Sequence, residues 1–163
     1  MTDDVRQEIN RFLVWALQGH ADAVAFFFAW FEVCHFWDDL IDRDKPLADA
    51  AIDRAMTVAV IEMPRNPFYR QHFADLQPIM AQAVLDWRAA TQMERAPAAD
   101  GDLDITYILR CSYIAVITAC AALIGGMDWA AEVNVAARRM AHLETRNDYR
   151  AALAAEQRAR EVA

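Results

Sequence analysis

Four glycines and five prolines punctuate this 163-residue chain, and helix formers fill the long stretches between them. A sandwich or barrel needs tight turns at close intervals, so breakers this sparse point to an all-α fold. Hydrophobic residues make up 56% of the sequence and charged residues 25%. A chain of this length buries roughly 70% of the surface it exposes when unfolded, enough for a core without disulfides or a structural metal. The expectation is a single all-α domain over residues 1–163, a bundle of about six helices, with the polar, alanine-rich end from residue 155 onward frayed.

Capping and breaker residues place the elements. A first helix starts at an N-cap Thr2, with Asp3 and Asp4 favoured by the positive end of the dipole, and stops at Gly19. A second covers about His20 to Asp42 and ends before Pro46; a third, about Leu47 to Glu62, ends at Met63-Pro64. Asn66-Pro67 has the N-cap and N1 residue types of a new helix. Pro78 is expected to break or kink that helix, giving a short one at about Pro67–Leu76 and a longer one at about Pro78–Arg95. After the turn-rich loop Ala96–Gly101, Asp102 or Asp104 caps a helix that runs apolar to a C-cap at Gly125-Gly126, and Asp128 opens the last helix.

The balance of 24 acids against 16 bases, a net charge of -8, argues against nucleic acid as a partner, because that affinity comes mainly from Lys and Arg releasing counterions. Cys34, Cys111 and Cys120 form no CxxC pair and sit inside apolar stretches, the pattern of reduced core thiols in a cytoplasmic protein. Met1-Thr2-Asp3-Asp4 has no basic stretch leading into an apolar one, so no signal peptide is expected. Two apolar stretches, Ala23–Phe31 and Cys111–Met127, are cut short by Glu32 and His35 and by Arg110 and Asp128. Both fall below the ~20 residues of a membrane span, so they read as central helices, and no membrane partner is expected.

The most informative segment runs from Glu32 to Pro46, in the most hydrophobic helix. At about 100° per residue Glu32, His35, Asp38, Asp39 and Asp42 fall within an arc of roughly 120°, on the side of Phe28 and Phe31. Buried like charges at this spacing need a cation, bound protons or basic partners. Hard oxygen ligands suit Mg²⁺ or Mn²⁺, and one histidine is compatible with Mn, Fe or Zn. The alternative is that the helix reaches the surface there and the acids are solvated or paired with Arg43, Lys45 and other bases, His35 being an ordinary core histidine.

A metal held by one helix needs ligands from a facing element. Glu144 and Asp148 form an i, i+4 carboxylate pair on the last helix, with Asn147 on the same face, and Asp86 on the fourth long segment is a third candidate. Each has a plainer reading: a solvated face with Arg146 and Arg150 interleaved, and pairing of Asp86 with Arg88 or Arg110. Arg43, Lys45, Arg65, Arg70 and Arg110 lie near the acids and are the residue types that grip a phosphate or diphosphate. Arg110 and Tyr113 serve equally as a core-edge salt bridge and a core tyrosine. GxxxxGK[ST], GxGxxG, HExxH and GxSxG motifs are absent, only Glu32-Val33-Cys34-His35 has the ExxH form of a di-iron bundle, and there is no adjacent His-Asp dyad.

Asp38-Asp39-Leu40-Ile41-Asp42 has the form DDxxD and resembles the first aspartate-rich motif of isoprenyl diphosphate synthases and related all-α terpenoid enzymes. That resemblance implies Mg²⁺ and a substrate diphosphate at these residues. A second motif would fall near Asn147-Asp148, where Ala152 stands in place of a hydroxyl ligand. Glu32, Asp39 and Asp42 opposite Glu144 and Asp148 also resemble the acidic layout of the all-α nucleotide pyrophosphatases. The strings Trp37-Asp38-Asp39-Leu40-Ile41-Asp42-Arg43-Asp44-Lys45-Pro46, Asn66-Pro67-Phe68-Tyr69 and Ile124-Gly125-Gly126-Met127-Asp128-Trp129 look like small proteins of tailed bacteriophages and prophages.

Two functions stand as expectations. The first is an Mg²⁺- or Mn²⁺-dependent hydrolase or transferase acting on a phosphorylated small molecule, without an organic cofactor. In it Glu32, His35 and Asp38 do the catalysis, Asp39, Asp42, Glu144 and Asp148 hold the metal, and Arg43, Lys45 and Arg110 clamp the anion. The second is a non-catalytic phage or prophage accessory that docks on a host or virion protein through its acidic or aromatic surface. A homodimer is compatible with either, in the cytoplasm.

Overall fold

A computed structural model of the chain describes residues 3–42, 46–99, 101–141 and 145–162. Among them are eight helices and no strand, where the breaker pattern predicts about six. They are α1 (Asp3–Ala16), α2 (Ala21–Asp42), α3 (Asp49–Thr57), α4 (Pro67–Gln71), α5 (Phe73–Arg95), α6 (Asp102–Leu109), α7 (Tyr113–Ala141) and α8 (Arg146–Val162). A π-helical turn, Val58–Glu62, and a last turn, Met63–Arg65, continue α3.

Several boundaries arise from local chemistry. Helix α1 ends where Gln18 and Gly19 take positive φ values of 50° and 71°. The Gly19 N–H then donates to the Val14 carbonyl at 2.8 Å, which satisfies a helix-end acceptor. Asn66 caps α4 as its residue type suggests: Oδ1 accepts from the Tyr69 N–H at 3.0 Å, while Nδ2 donates to the Asp22 carbonyl at 2.9 Å and ties α4 to the start of α2. Thr145 and Asp148 close a reciprocal capping box on α8, with the Asp148 N–H donating to Thr145 Oγ1 at 3.2 Å and the Thr145 N–H to Asp148 Oδ2 at 3.2 Å. The N-cap expected at Thr2 lies outside the described residues.

The departures from expectation have physical causes. Pro78 does not split its helix; the break falls at His72 (φ -111°, ψ 22°), and α5 runs through the proline. Pro78 lies only six residues into α5, and buried Leu76, Met80 and Ala83 pack on both sides of it, so tertiary burial outweighs one missing backbone bond. The segment expected as one helix from Asp102 to Gly125 is two, separated at Arg110–Ser112 by a turn with no glycine or proline. In that turn the Cys111 and Ser112 N–H groups donate to Ile108 and Leu109 carbonyls. Helix α7 kinks at Gly126, whose φ of 82° is a conformation glycine adopts without strain, so the break expected at Gly125-Gly126 is present. The helix expected to open at Asp128 is cut again after Ala141, giving the separate α8.

One hydrophobic cluster joins the elements. Leu13 and Ala16 come from the end of α1, Leu17 from the turn after it, Ala23, Phe26, Phe27 and Trp30 from α2, and Leu76, Met80 and Ala83 from α5. Ile114, Val116, Ile117, Cys120, Ala121, Ala130, Val133 and Ala137 of α7 complete it. Burying one side chain the size of Phe26 contributes about 1.5–3 kcal/mol, so these residues dominate the stability. Helix α7 is the one helix among the described residues long and apolar enough to cross a membrane by length and composition, and eight of its residues are in the core. Helix α5 packs along α6 and α7, and α8 packs on α6.

Candidate functional site

The buried residues of α2, Ala23, Phe26, Phe27 and Trp30, obey the i, i+3, i+4, i+7 rule. Continued at about 100° per residue, that stripe runs through Cys34, Trp37, Asp38 and Ile41. The acidic arc is therefore centred roughly 120° away from the stripe, and only its edge member Asp38 faces the core. The phenylalanines that mark the core are Phe26 and Phe27 rather than Phe28 and Phe31, which are half-buried. Beyond Trp30 no residue of α2 up to Asp42 is fully buried.

What Asp38 meets is an arginine. Arg110, on the turn between α6 and α7, donates from Nη1 to Asp38 Oδ1 at 3.0 Å, from Nε to Glu94 Oε1 at 2.8 Å, and from Nη2 to Glu94 Oε2. Its guanidinium lies 4.6 Å over the ring of Trp87. The Trp87 indole in turn donates from Nε1 to Asp38 Oδ1 at 3.0 Å. Glu94 is 5% exposed and also accepts from the Tyr149 hydroxyl of α8, which lies 3.1 Å from the Thr106 hydroxyl of α6. One guanidinium thus joins α2, α5 and α8 through two carboxylates. The Asp38 carboxyl is held above its ordinary range, chiefly by burial and further by Asp42, with Arg110, Trp87 and His35 opposing. Tyr149 is raised by burial and by its bond to Glu94, so it stays a hydroxyl donor at neutral pH.

On one side of this network lies a cavity of about 130 Å³. Trp30, Trp37, Trp87 and Tyr113 supply aromatic walls, Ala83 and Val84 an aliphatic one, and Cys34, His35, Asp38, Arg110 and Ser112 the polar edge. The Trp37 and Trp87 rings are 4.2 Å apart, and Tyr113 stands edge-on to Phe31 at 5.5 Å. Trp30 is 6% exposed, and its buried Nε1–H has no hydrogen-bond partner among the described residues. An unsatisfied buried donor costs about 1–3 kcal/mol. Burial, with Asp38 adding to it, pushes the Cys34 thiol up to about 12, so at neutral pH it is a neutral wall atom and not a thiolate nucleophile. Arg110 and Asp38 also border a second cavity, of about 210 Å³, together with Asp42, Glu94, Tyr149 and Leu153.

The remaining sequence candidates disperse. Glu32 accepts from Arg54 Nε at 2.8 Å and Nη2 at 3.2 Å, at the surface, and Arg54 also pairs with Glu62 at 2.5 Å. His35 is exposed, with Nδ1 2.9 Å from the Phe31 carbonyl. Asp39 and Asp42 are half-buried, and Asp42 borders the second cavity. Asp148 serves the capping box, with the Thr145 hydroxyl donating to it at 2.6 Å. Asp86 accepts from Gln82 at 2.6 Å and Ser112 at 3.0 Å instead of pairing with an arginine. Arg43, Lys45 and Glu144 lie outside the described residues. Among the described residues no three of His, Cys, Asp and Glu converge as metal ligands. Asp38 and Glu94 meet Arg110, so a divalent ion at these two carboxylates would have to displace a guanidinium.

Sequence reasoning singles out Asp38, Arg110 and Tyr113 but not Glu94, Thr106, Tyr149 or the tryptophans. One pattern points to Glu94: Leu76, Met80, Ala83, Trp87, Ala90 and Glu94 alternate at spacings of four and three along α5, which places Glu94 on the core stripe. A charged residue in that register needs a partner. Comparison with known proteins adds no relative: the chain matches no family model, no curated protein and no solved structure.

Proposed function

We propose that this is a small-molecule-binding protein whose site is the tryptophan-lined cavity between α2, α5 and the start of α7. The observation that carries the reading is the set of aromatic rings, Trp30, Trp37, Trp87 and Tyr113, gathered around one cavity beside the Asp38–Arg110 ion pair. Small-ligand sites are concave and mostly apolar, with aromatic walls and a few placed polar groups, and this cavity has that make-up. The volume of about 130 Å³ is close to that of a cavity that admits benzene, ~150 Å³, and too small for a nucleotide.

The electrostatics favour this reading over phosphate chemistry. Arg110, whose guanidinium borders the cavity, directs three N–H bonds at carboxylates, and two acids face that one guanidinium. A phosphate arriving there would meet net negative charge. The protonated Cys34 thiol also leaves the cavity without an activated nucleophile from that residue.

The test is ligand-observed NMR with neutral single-ring fragments on wild type and on Val84→Phe, whose added ring fills the cavity. Wild type is expected to bind with Kd values of about 0.1–1 mM, typical of ligands this small, and the variant to bind none. Equal binding by both proteins, or by neither, overturns the assignment. Binding of inorganic pyrophosphate with Mg²⁺ in place of the fragments would restore the metal-dependent reading.

A further inference from the structure

We infer that the outer face of the helix over residues 49–65 pairs with the same face of a second copy of this chain, antiparallel about a two-fold axis. The surface shares no residue with the tryptophan-lined cavity and does not depend on it. Helix α3, the π turn Val58–Glu62 and the last turn Met63–Arg65 form one continuous rod, because Thr57, Val58, Glu62 and Met63 all keep right-handed helical backbone angles.

The π turn holds one residue more than an α turn, so every position after it falls about 100° behind its place in an unbroken α-helix. Its consequence is a change of register. Met63, which plain α periodicity would put on the outside beside Met56, turns inward and is buried with Ala55 and Val58. Ile61 and Arg65 turn outward, joining Ile52, Met56 and Val60 within an arc of roughly 120°. Those four apolar side chains are between 40% and 62% exposed, and no other helix among the described residues exposes as many large hydrophobics.

The charges at the two ends determine what covers this face. Asp49 and Asp53 stand at its N-terminal end and Arg65 at its C-terminal end, all exposed and without an ion-pair partner among the described residues. They lie along one edge, within about 60° of arc. A two-fold axis perpendicular to the rod keeps that edge on the same side in both copies while reversing the direction, so the acids of each copy meet Arg65 of the other at both ends. A parallel pair would set acid against acid. The axis passes near Thr57, midway between Asp49 and Arg65, and Met56 and Val60 fill the centre of the contact. The apolar centre supplies the affinity and the rim charges fix the orientation. At about 25 Å the rod is short, so the interface is at the small end of specific contacts and the pair exchanges readily, with a Kd of about 0.05–0.5 mM.

Sedimentation equilibrium of the full chain, at concentrations from about 0.01 to about 1 mM, tests the pairing on wild type, on Arg65→Glu, on Asp49→Lys/Asp53→Lys and on the two variants mixed. Wild type is expected to show a monomer–dimer equilibrium. Each variant alone faces like charges at both ends and should associate at least about tenfold more weakly. In the mixture the reversed charges meet as opposite pairs, and the dimer returns with one copy of each variant. Met56→Glu brings like charges together at the axis and should abolish association. All these positions are exposed, so circular dichroism at 222 nm should match wild type. A wild type that stays monomeric at about 1 mM overturns the pairing, and co-sedimentation of that monomer with phosphatidylcholine vesicles, lost in Met56→Glu, would give the face to a lipid surface instead. Dimers undiminished in Arg65→Glu would place the contact elsewhere on the molecule. Variants that weaken alone but do not recover on mixing would exclude the antiparallel arrangement.

Discussion

Replacing Arg110 with methionine tests whether the guanidinium is the internal counter-ion of the bundle. The side chain of Arg110 is 16% exposed and that of Glu94 only 6%, while Asp38 keeps 44% of its side-chain surface. After the change Asp38 can turn to water, so its loss is screened and small. Glu94 cannot; it keeps the Tyr149 hydroxyl but loses both bonds from the guanidinium. Removing one partner of a buried ion pair costs about 3–5 kcal/mol. For a chain of this length that lowers Tm by roughly 6–20 °C. Adding Glu94→Leu to Arg110→Met removes the stranded charge and should recover all but about 1–2 kcal/mol. Urea unfolding monitored by circular dichroism at 222 nm, with all four proteins of the double-mutant cycle, measures both quantities. A single Arg110→Met variant within about 1 kcal/mol of wild type, or a double variant no more stable than the single, would show that Glu94 is not a buried charge awaiting a partner.

Three further perturbations have definite expected outcomes. Because the Asp38 carboxyl is raised in the folded protein, the native state holds that proton more tightly than the unfolded chain; its contribution is present at low pH and lost as pH rises from about 4 through the raised midpoint. Wild-type stability should therefore fall relative to Asp38→Asn between pH 4 and 7 in denaturant titrations, and a relative gain over that range contradicts the assignment. Asp148→Ala opens the capping box of α8 and should cost about 1 kcal/mol, seen as faster amide exchange in α8 with the α2 and α7 amides unchanged; uniform slowing or no change argues against the cap. Gly125→Ala places a methyl 2.6 Å from Trp129 Cδ1 and 2.7 Å from Gln18 Nε2, so it should destabilise by about 1–3 kcal/mol and shift Trp129 fluorescence, whereas a neutral effect would mean that the Trp129 ring is not held against Gly125.

How much was legible residue by residue depends on whether the signal is local. The Asn66 cap, the Gly19 stop and the Gly125-Gly126 break are readable because each rests on one residue's φ preference or side-chain hydrogen bond, and all three are present. The turn at Arg110–Ser112 carries no such residue. It forms between helices tied to their neighbours by Arg110 and by Ser112, whose hydroxyl bonds lead to Asp86 and Leu109. Pro78 shows the converse: a strong local signal loses to the buried stripe that runs past it.

The acidic helix shows where local reasoning stops. Periodicity places Glu32, His35, Asp38, Asp39 and Asp42 on one arc, and that grouping is a property of any α-helix of this sequence. Which edge of the arc faces the core depends on whether Phe26 and Phe27 or Phe28 and Phe31 find partners, and those partners come from other helices. Phe26 stacks on Tyr69 at 5.0 Å, an encounter created by the Asn66 cap docking α4 on α2.

Composition and spacing by themselves determined an all-α chain, the local helix stops and the set of charged residues available to a site. The tertiary structure alone decided that the inward carboxylates meet a guanidinium, that Glu94 and Tyr149 join them from distant segments, and that aromatic rings from three helices close around a small cavity. The physical reason is range. Helix propensity and capping act within a few residues, whereas the partner of a buried charge is chosen by the packing of elements that lie far apart in the chain.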